Sequence, residues 1–141
     1  MTGVMHPSKE AVTATFHVPA ERARIPRCRG AVAAVLDTWA VDHAIREFAL
    51  LIMSELVTNA VIHGRAPITV HLTLDRWEGT LLGAVEDAGP GWPTLADHDM
   101  AEMVEGGRGL HLVNTLATKW GVTRTTPGKK VWFCLATPWE P

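Results

Sequence analysis

The chain has 141 residues, 47% of them hydrophobic and 20% charged, the balance of one globular domain and not of a disordered segment. Its net charge of -2 excludes any general electrostatic attraction to nucleic acid or to an anionic membrane, so polyanion binding has to be local. The apolar runs are far too short to span a bilayer, and two cysteines make neither a disulfide framework nor a metal site.

Residues 1–10 read as a loose tail, and 11–141 as one domain. The tail lacks the basic and apolar regions of a secretory leader, and Cys28 and Cys134 read as core thiols. The expectation is a cytoplasmic protein. Val12 to Val18 is rich in β-branched and aromatic residues and predicts a strand that Pro19 ends. Pro26 suits the first turn of a helix. Val32, Val35, Leu36 and Trp39 give that helix an apolar stripe. Arg22, Arg24, Arg27 and Arg29 near its start form either a solvated face or a partner-binding patch.

Asp42 is the expected N-cap of a second, longer helix. Ile45, Phe48, Ala49, Ile52, Met53, Leu56 and Ala60 recur at three and four, as a buried helical face requires. Gly64 is expected to end this helix with a positive φ. After Pro67, Ile68 to Leu74 alternates strictly, which predicts a strand with one wet face. Glu78-Gly79 reads as a turn and Leu81 to Glu86 as the second arm of a hairpin. Residues 92–107 have no clear period and read as a loop with one short helix near 95–103. Gly109 to Trp120 then predicts a helix with Leu110, Val113, Leu116 and Ala117 on one face. Gly121 to Thr126 and Lys130 to Thr137 bracket Pro127-Gly128 as a terminal hairpin. Together these elements predict an α/β (α+β) two-layer sandwich.

Three short motifs carry the chemistry. Glu55 and Asn59 stand at i and i+4 within Glu-Leu-Val-Thr-Asn-Ala-Val-Ile-His-Gly, with His63 one turn further on, so all three share one helix face. Asp87-Ala88-Gly89-Pro90-Gly91 puts a carboxylate at a strand end beside two glycines that let backbone approach a ligand closely. Gly106-Gly107-Arg108-Gly109-Leu110 opens a helix, whose free N–H groups and positive dipole end suit phosphate. Each motif taken alone also has a plain reading: an amphipathic helix face, an Asp-capped turn, a helix start.

In their order and spacing the motifs resemble the N box and the two glycine boxes of the GHKL ATPase superfamily, which includes gyrase, the heat-shock chaperone, histidine kinases and MutL. The Glu55–Gly64 stretch is similar to the N box of the bacterial anti-sigma-factor serine/threonine kinases of the RsbW and SpoIIAB type. The resemblance covers the chain from about Val12 to Thr137 and is weakest over residues 1–30. It implies a Bergerat fold, with a mixed, mainly antiparallel sheet covered on one face by helices and with ATP under a lid at residues 92–106. It implies that Asn59 ligates Mg²⁺, that Glu55 is the general base, and that Asp87 binds the adenine amino group. Gly89 and Gly91 would pass the nucleotide. Gly107, Arg108 and Gly109, with Leu110 behind them, would hold the phosphates. His63 is either a phosphate contact or a helix-end cap.

There is one departure. The subgroup carries Gly-x-Thr or a similar hydroxyl residue entering the last strand, where it helps the aspartate hold adenine. Here the stretch is Gly128-Lys129-Lys130-Val131, with Lys130 in place of the hydroxyl and Thr125 or Thr126 as substitutes. The resemblance implies a kinase that phosphorylates a STAS-domain anti-sigma-factor antagonist and sequesters a sigma factor, with a homodimer as its possible state. It implies no direct contact with nucleic acid or membrane. The alternatives are an ATP-dependent protein-binding regulator with little or no phosphotransfer, and a scaffold that has lost nucleotide binding.

Overall fold

The computed structural model describes residues 11–89, 117–126 and 128–138. Strand β1 (Ala11–Val18) leads through a 3-10 turn at Arg22–Arg24 into helix α1 (Ile25–Thr38). Pro26 falls in the first turn of α1, where its missing N–H costs no hydrogen bond. Helix α2 (His43–His63) follows, then strands β2 (Ile68–Asp75), β3 (Thr80–Asp87), β4 (Ala117–Arg124) and β5 (Lys129–Ala136). The strands form one sheet in the order β1-β2-β3-β5-β4, and all four pairings are antiparallel. The two helices cover one face of this sheet, so the two-layer α+β sandwich expected from the element pattern is the observed fold.

The core follows from the periodicities. Val70, Leu72, Leu81, Val85, Val131, Phe133 and Leu135 point from the sheet into it, at every second position. Helix α2 buries more than the predicted stripe. Ala49, Ile52, Met53, Leu56 and Ala60 are buried as expected, and so are Leu50 and Val57, which line a contact with Cys28 and Val32 of α1. A helix wedged between a sheet and a second helix has two apolar faces, which is why this segment is apolar almost all round. Leu36 of α1 is fully buried, a side chain worth about 1.5–3 kcal/mol by apolar transfer. Gly83 gives β3 room for the Phe133 ring, which a Cβ there would approach to 2.5 Å. The opposite face of the sheet is polar, with Thr13, Thr15 and His17 paired across to Thr73, His71 and Thr69.

Several expectations need correction. Ala117–Trp120 is strand, not the end of a helix, and β4 begins four residues before the expected Gly121. Trp120 pairs with Phe133 and Val122 with Val131, so alternation across the sheet overrides the helical spacing there. The rest of that expected helix lies outside the described residues. Strand β5 begins at Lys129, one residue earlier than expected. Asp42 occupies the N-cap position of α2, but its side chain makes no capping hydrogen bond. Gly64 has φ −93° and ψ −159°, an extended backbone and not the left-handed one. Its glycine is required for space instead: a Cβ would stand 2.6 Å from both the Ala60 carbonyl oxygen and the Asp87 carboxyl carbon.

The cysteines Cys28 and Cys134 are both buried and unpaired with each other, as core thiols. Burial pushes the Cys28 thiol up to about 11. Among the described residues no helix is long and apolar enough to cross a membrane.

Candidate functional site

The chemistry converges where the C-terminal end of α2 meets the open end of the β3–β5 pair. Asp87 is the last residue of β3 and points to the helix-covered face, at only 4% exposure. A lone carboxylate buried this far would be costly, so the surroundings have to satisfy it. They do so from three segments. The Gly89 N–H donates to Oδ1 at 2.7 Å, and the Arg65 N–H makes a longer contact to the same oxygen at 3.4 Å. The Lys129 ammonium lies 2.7 Å from Oδ2. The Ala88 N–H donates to the Arg65 carbonyl at 2.8 Å, which ties the strand end to the loop after α2.

Glycines enclose this carboxylate. A Cβ at Gly64 would meet its carboxyl group, and one at Gly89 would lie 2.8 Å from Oδ1. A Cβ at Gly128 would collide with the Asp87 carbonyl oxygen. The strand end therefore sits in a cradle whose walls are bare backbone. Such a cradle leaves bare backbone, and no side chain, beside the Asp87 carboxylate.

Glu55 and Asn59 lie half-buried on α2, about two turns and one turn before its C-terminus, and His63 is exposed in its last turn. Thr58, between them in sequence, donates its hydroxyl back to the Ser54 carbonyl at 2.7 Å. Helix α2 thus runs Glu55, Asn59 and His63 towards Gly64 and the Asp87 cradle. Among the described residues no group of three His, Cys, Asp or Glu side chains is placed to hold a metal ion. A Mg²⁺ ion here would be held by the Asn59 amide oxygen together with phosphate oxygens, a donor set that suits a hard cation. Gly91, the lid at 92–106, and Gly107, Arg108, Gly109 and Leu110 all lie outside the described residues.

The departure noted at the last strand takes a different form in three dimensions. Lys130 pairs in register with Glu86 on the outer side of the sheet, while Lys129 pairs with Asp87 and shares its inward face. Lys129 is 7% exposed. It is Lys129, and neither Lys130 nor Thr125 nor Thr126, that reaches the carboxylate. The sequence signal was present, since a lysine two residues before the apolar Val131 has the parity of the core face. What could not be read was which residue of β3 it opposes.

Comparison with known proteins identifies the family and supports the fold. The model of the histidine kinase-like ATPase domain matches residues 18–135. A solved structure of the RsbU and RsbW domains of a Mycobacterium tuberculosis protein superposes with a TM-score of 0.65 at 21% identity, over 89% of this chain and 32% of that one. The histidine kinase domain of a blue-light-activated kinase from Erythrobacter litoralis superposes with a TM-score of 0.51 at 25% identity, over 82% of this chain and 60% of that one. The chain therefore spans about a third of the first of these structures and three fifths of the second. No curated protein matches the sequence.

Proposed function

We propose, from the premise that this chain belongs to the histidine kinase-like ATPase domain family, that it is an ATP-binding serine/threonine protein kinase of the anti-sigma-factor type. Family membership implies ATP binding. The observation that carries the reading is the Asp87 carboxylate, buried and walled by Gly64, Gly89 and Gly128 at the end of the helix that bears Glu55 and Asn59. A structure that contains an RsbW domain is among the fold neighbours, which is in keeping with this reading.

In this reading Asp87 accepts a hydrogen bond from the purine amino group, and the glycine walls let the ring lie against backbone. Asn59 would help hold a Mg²⁺ ion, whose charge would offset that of the phosphates. Glu55 accepts the proton of a serine or threonine hydroxyl on the partner protein. That oxygen bonds to the γ-phosphorus as the bond to ADP breaks. The product gains about two negative charges, which weakens its complex with the kinase. The partner would be a STAS-domain antagonist, and the protein released to bind the kinase in its place a sigma factor.

Calorimetric titration of ATP, with and without Mg²⁺, into wild type and Asp87→Asn tests the site. Magnesium-dependent binding that Asp87→Asn weakens by about tenfold or more is the expected result. Absence of binding to folded wild type sinks the nucleotide site. Glu55→Ala separates the enzyme from a protein-binding regulator that transfers no phosphate. It should leave ATP affinity intact and lower turnover by about a hundredfold or more, the scale of a lost general base. Unchanged turnover removes Glu55 from the chemistry.

A further inference from the structure

The sheet has two edges, β1 and β4, and they are built differently. An edge strand carries unpaired N–H and C=O groups that invite another strand, and proteins blunt such edges with charges, prolines or bulges. Edge β4 follows that practice. It carries Lys119 and Arg124, and a register shift between Ala117 and Lys119 interrupts its pairing with β5. Edge β1 has none of these protections. Its sequence, Ala-Val-Thr-Ala-Thr-Phe-His-Val, contains no Lys, Arg, Asp, Glu or Pro. It pairs with β2 from Ala11 to Val18 without a shift, so the strand is regular along its whole length. Among the described residues no strand lies on its outer side.

The helix-side row of β1 is also incompletely covered. Val12, Ala14, Phe16 and Val18 stand opposite Leu74, Leu72, Val70 and Ile68, which are buried, and so share the face that meets the helices. Val18 is 5% exposed, but Val12 is 37% exposed, and Ala14 and Phe16 are half-buried. A regular, uncharged edge with apolar side chains left in water is a surface that calls for a partner strand.

The sequence of β1 indicates which strand that is. In an antiparallel pair, residues directly opposite share a face. A two-fold axis normal to the sheet near Ala14 sets a second β1 against the first, with the helices of both copies on one side. Val12 then lies across from Phe16 on the helix side, and Thr13 across from Thr15 on the outer side. An aromatic with a β-branched residue and a pair of threonines are both favourable cross-strand neighbours. The two-fold repeats each pair, and no charge meets a like charge.

We infer that β1 is an interface between two copies of this chain. It pairs antiparallel with itself, so that two five-stranded sheets become one continuous sheet. This goes beyond nucleotide binding and does not rest on it. One strand pair makes a small interface, so the dimer belongs to the weak class, with a dissociation constant on the order of 10 µM.

Sedimentation equilibrium of the whole chain reads the mass, which is 15.4 kDa for one copy. Wild type should approach twice that mass as its concentration rises to about 500 µM. Thr13→Lys combined with Thr15→Lys puts lysines across from each other at two exposed positions, and should raise the dissociation constant by about tenfold or more. Thr13→Glu combined with Thr15→Glu should do the same. An equimolar mixture of the two variants sets lysine against glutamate and should restore the dimer, a rescue that a misfolded variant could not give. Wild type that stays at 15.4 kDa throughout overturns the inference. So does a dimer that the two lysines leave intact, which would use another surface, and so does a mixture that remains monomeric.

Discussion

Asp75 and Asp87 close the two ends of the same strand pair, and both are buried, at 7% and 4% exposure. Their surroundings differ in kind. Asp75 serves its own turn: Oδ1 accepts the N–H groups of Trp77 and Glu78, both at 3.0 Å, and its carbonyl accepts the Gly79 N–H at 2.8 Å. Gly79 takes φ 68°, the left-handed conformation that closes this turn at no steric cost. Asp87 also keeps one local partner, the Gly89 N–H, but draws the others from the remote Arg65 and Lys129, and glycines keep further side chains away from it. A buried aspartate satisfied by its next neighbours shapes the chain. One held also by distant groups, within bare backbone walls, is the arrangement on which the proposed nucleotide site rests. The contrast makes definite predictions.

The largest effect belongs to Asp87→Ala. It leaves the Lys129 ammonium buried without its counter-charge, a loss on the order of 3–5 kcal/mol. Urea unfolding should register this as a large fall in the midpoint, and nucleotide binding should vanish. The double variant Asp87→Ala with Lys129→Met should regain much of the stability but none of the binding. If the double variant is as unstable as the single one, the ion pair is not the source of the loss.

Next in size is Gly64→Ala. The added methyl meets the Ala60 carbonyl and the Asp87 carboxyl, both at 2.6 Å, so backbone or carboxylate has to shift. Overpacking of this kind costs about 1–3 kcal/mol. The change should also weaken ATP binding beyond what the stability loss explains, because the displaced group is the one proposed to meet the purine. Normal affinity in a destabilised variant would show that the cradle is structural only.

Asp75→Ala is the counterpart at the other end. Two turn N–H groups lose their acceptor, at a cost of about 1–2 kcal/mol. Nucleotide affinity, measured in the same titration, should stay at the wild-type value. An affinity that falls with Asp75→Ala would erase the distinction between the two aspartates.

The same contrast explains what the sequence could disclose. Both glycines beside Asp87 and the Glu55–Asn59 spacing stand in contiguous motifs, and periodicity alone places them on a strand end and a helix. The core face of β2 was likewise plain in the alternation of Ile68 to Leu74. The parts that escaped all depend on pairing between remote segments. Lys129 was passed over for Lys130 because register decides which of two adjacent lysines faces Asp87, and a slip of one residue reverses the choice. Gly64 was assigned a conformational role, yet the reason for it is a carboxylate 23 positions later in the chain. Ala117 to Trp120 continued a helical spacing that sheet pairing with β5 overrides. Local pattern determines element type, and contacts between distant segments determine what each residue is for.

A third aspartate extends the comparison to the solvent and gives the smallest effect. Asp37, near the end of α1, receives Arg46 Nε at 2.6 Å and Nη2 at 3.1 Å, a two-pronged pair at the exposed surface. The Arg46 guanidinium holds the Asp37 carboxyl below its ordinary value through this hydrogen bonding. A carboxyl lowered in the folded state adds stability above its unfolded value and loses it as pH falls through the lowered one. Urea midpoints of wild type and Asp37→Asn should therefore differ by a small, constant gap from pH 7 down to about pH 4.5, and the gap should shrink only below about pH 4. Salt at about 1 M should close much of it, since exposed pairs are screened and Asp87, in its cradle, is not. A gap that widens on acidification would reverse the sign argued here and detach Asp37 from Arg46 in solution.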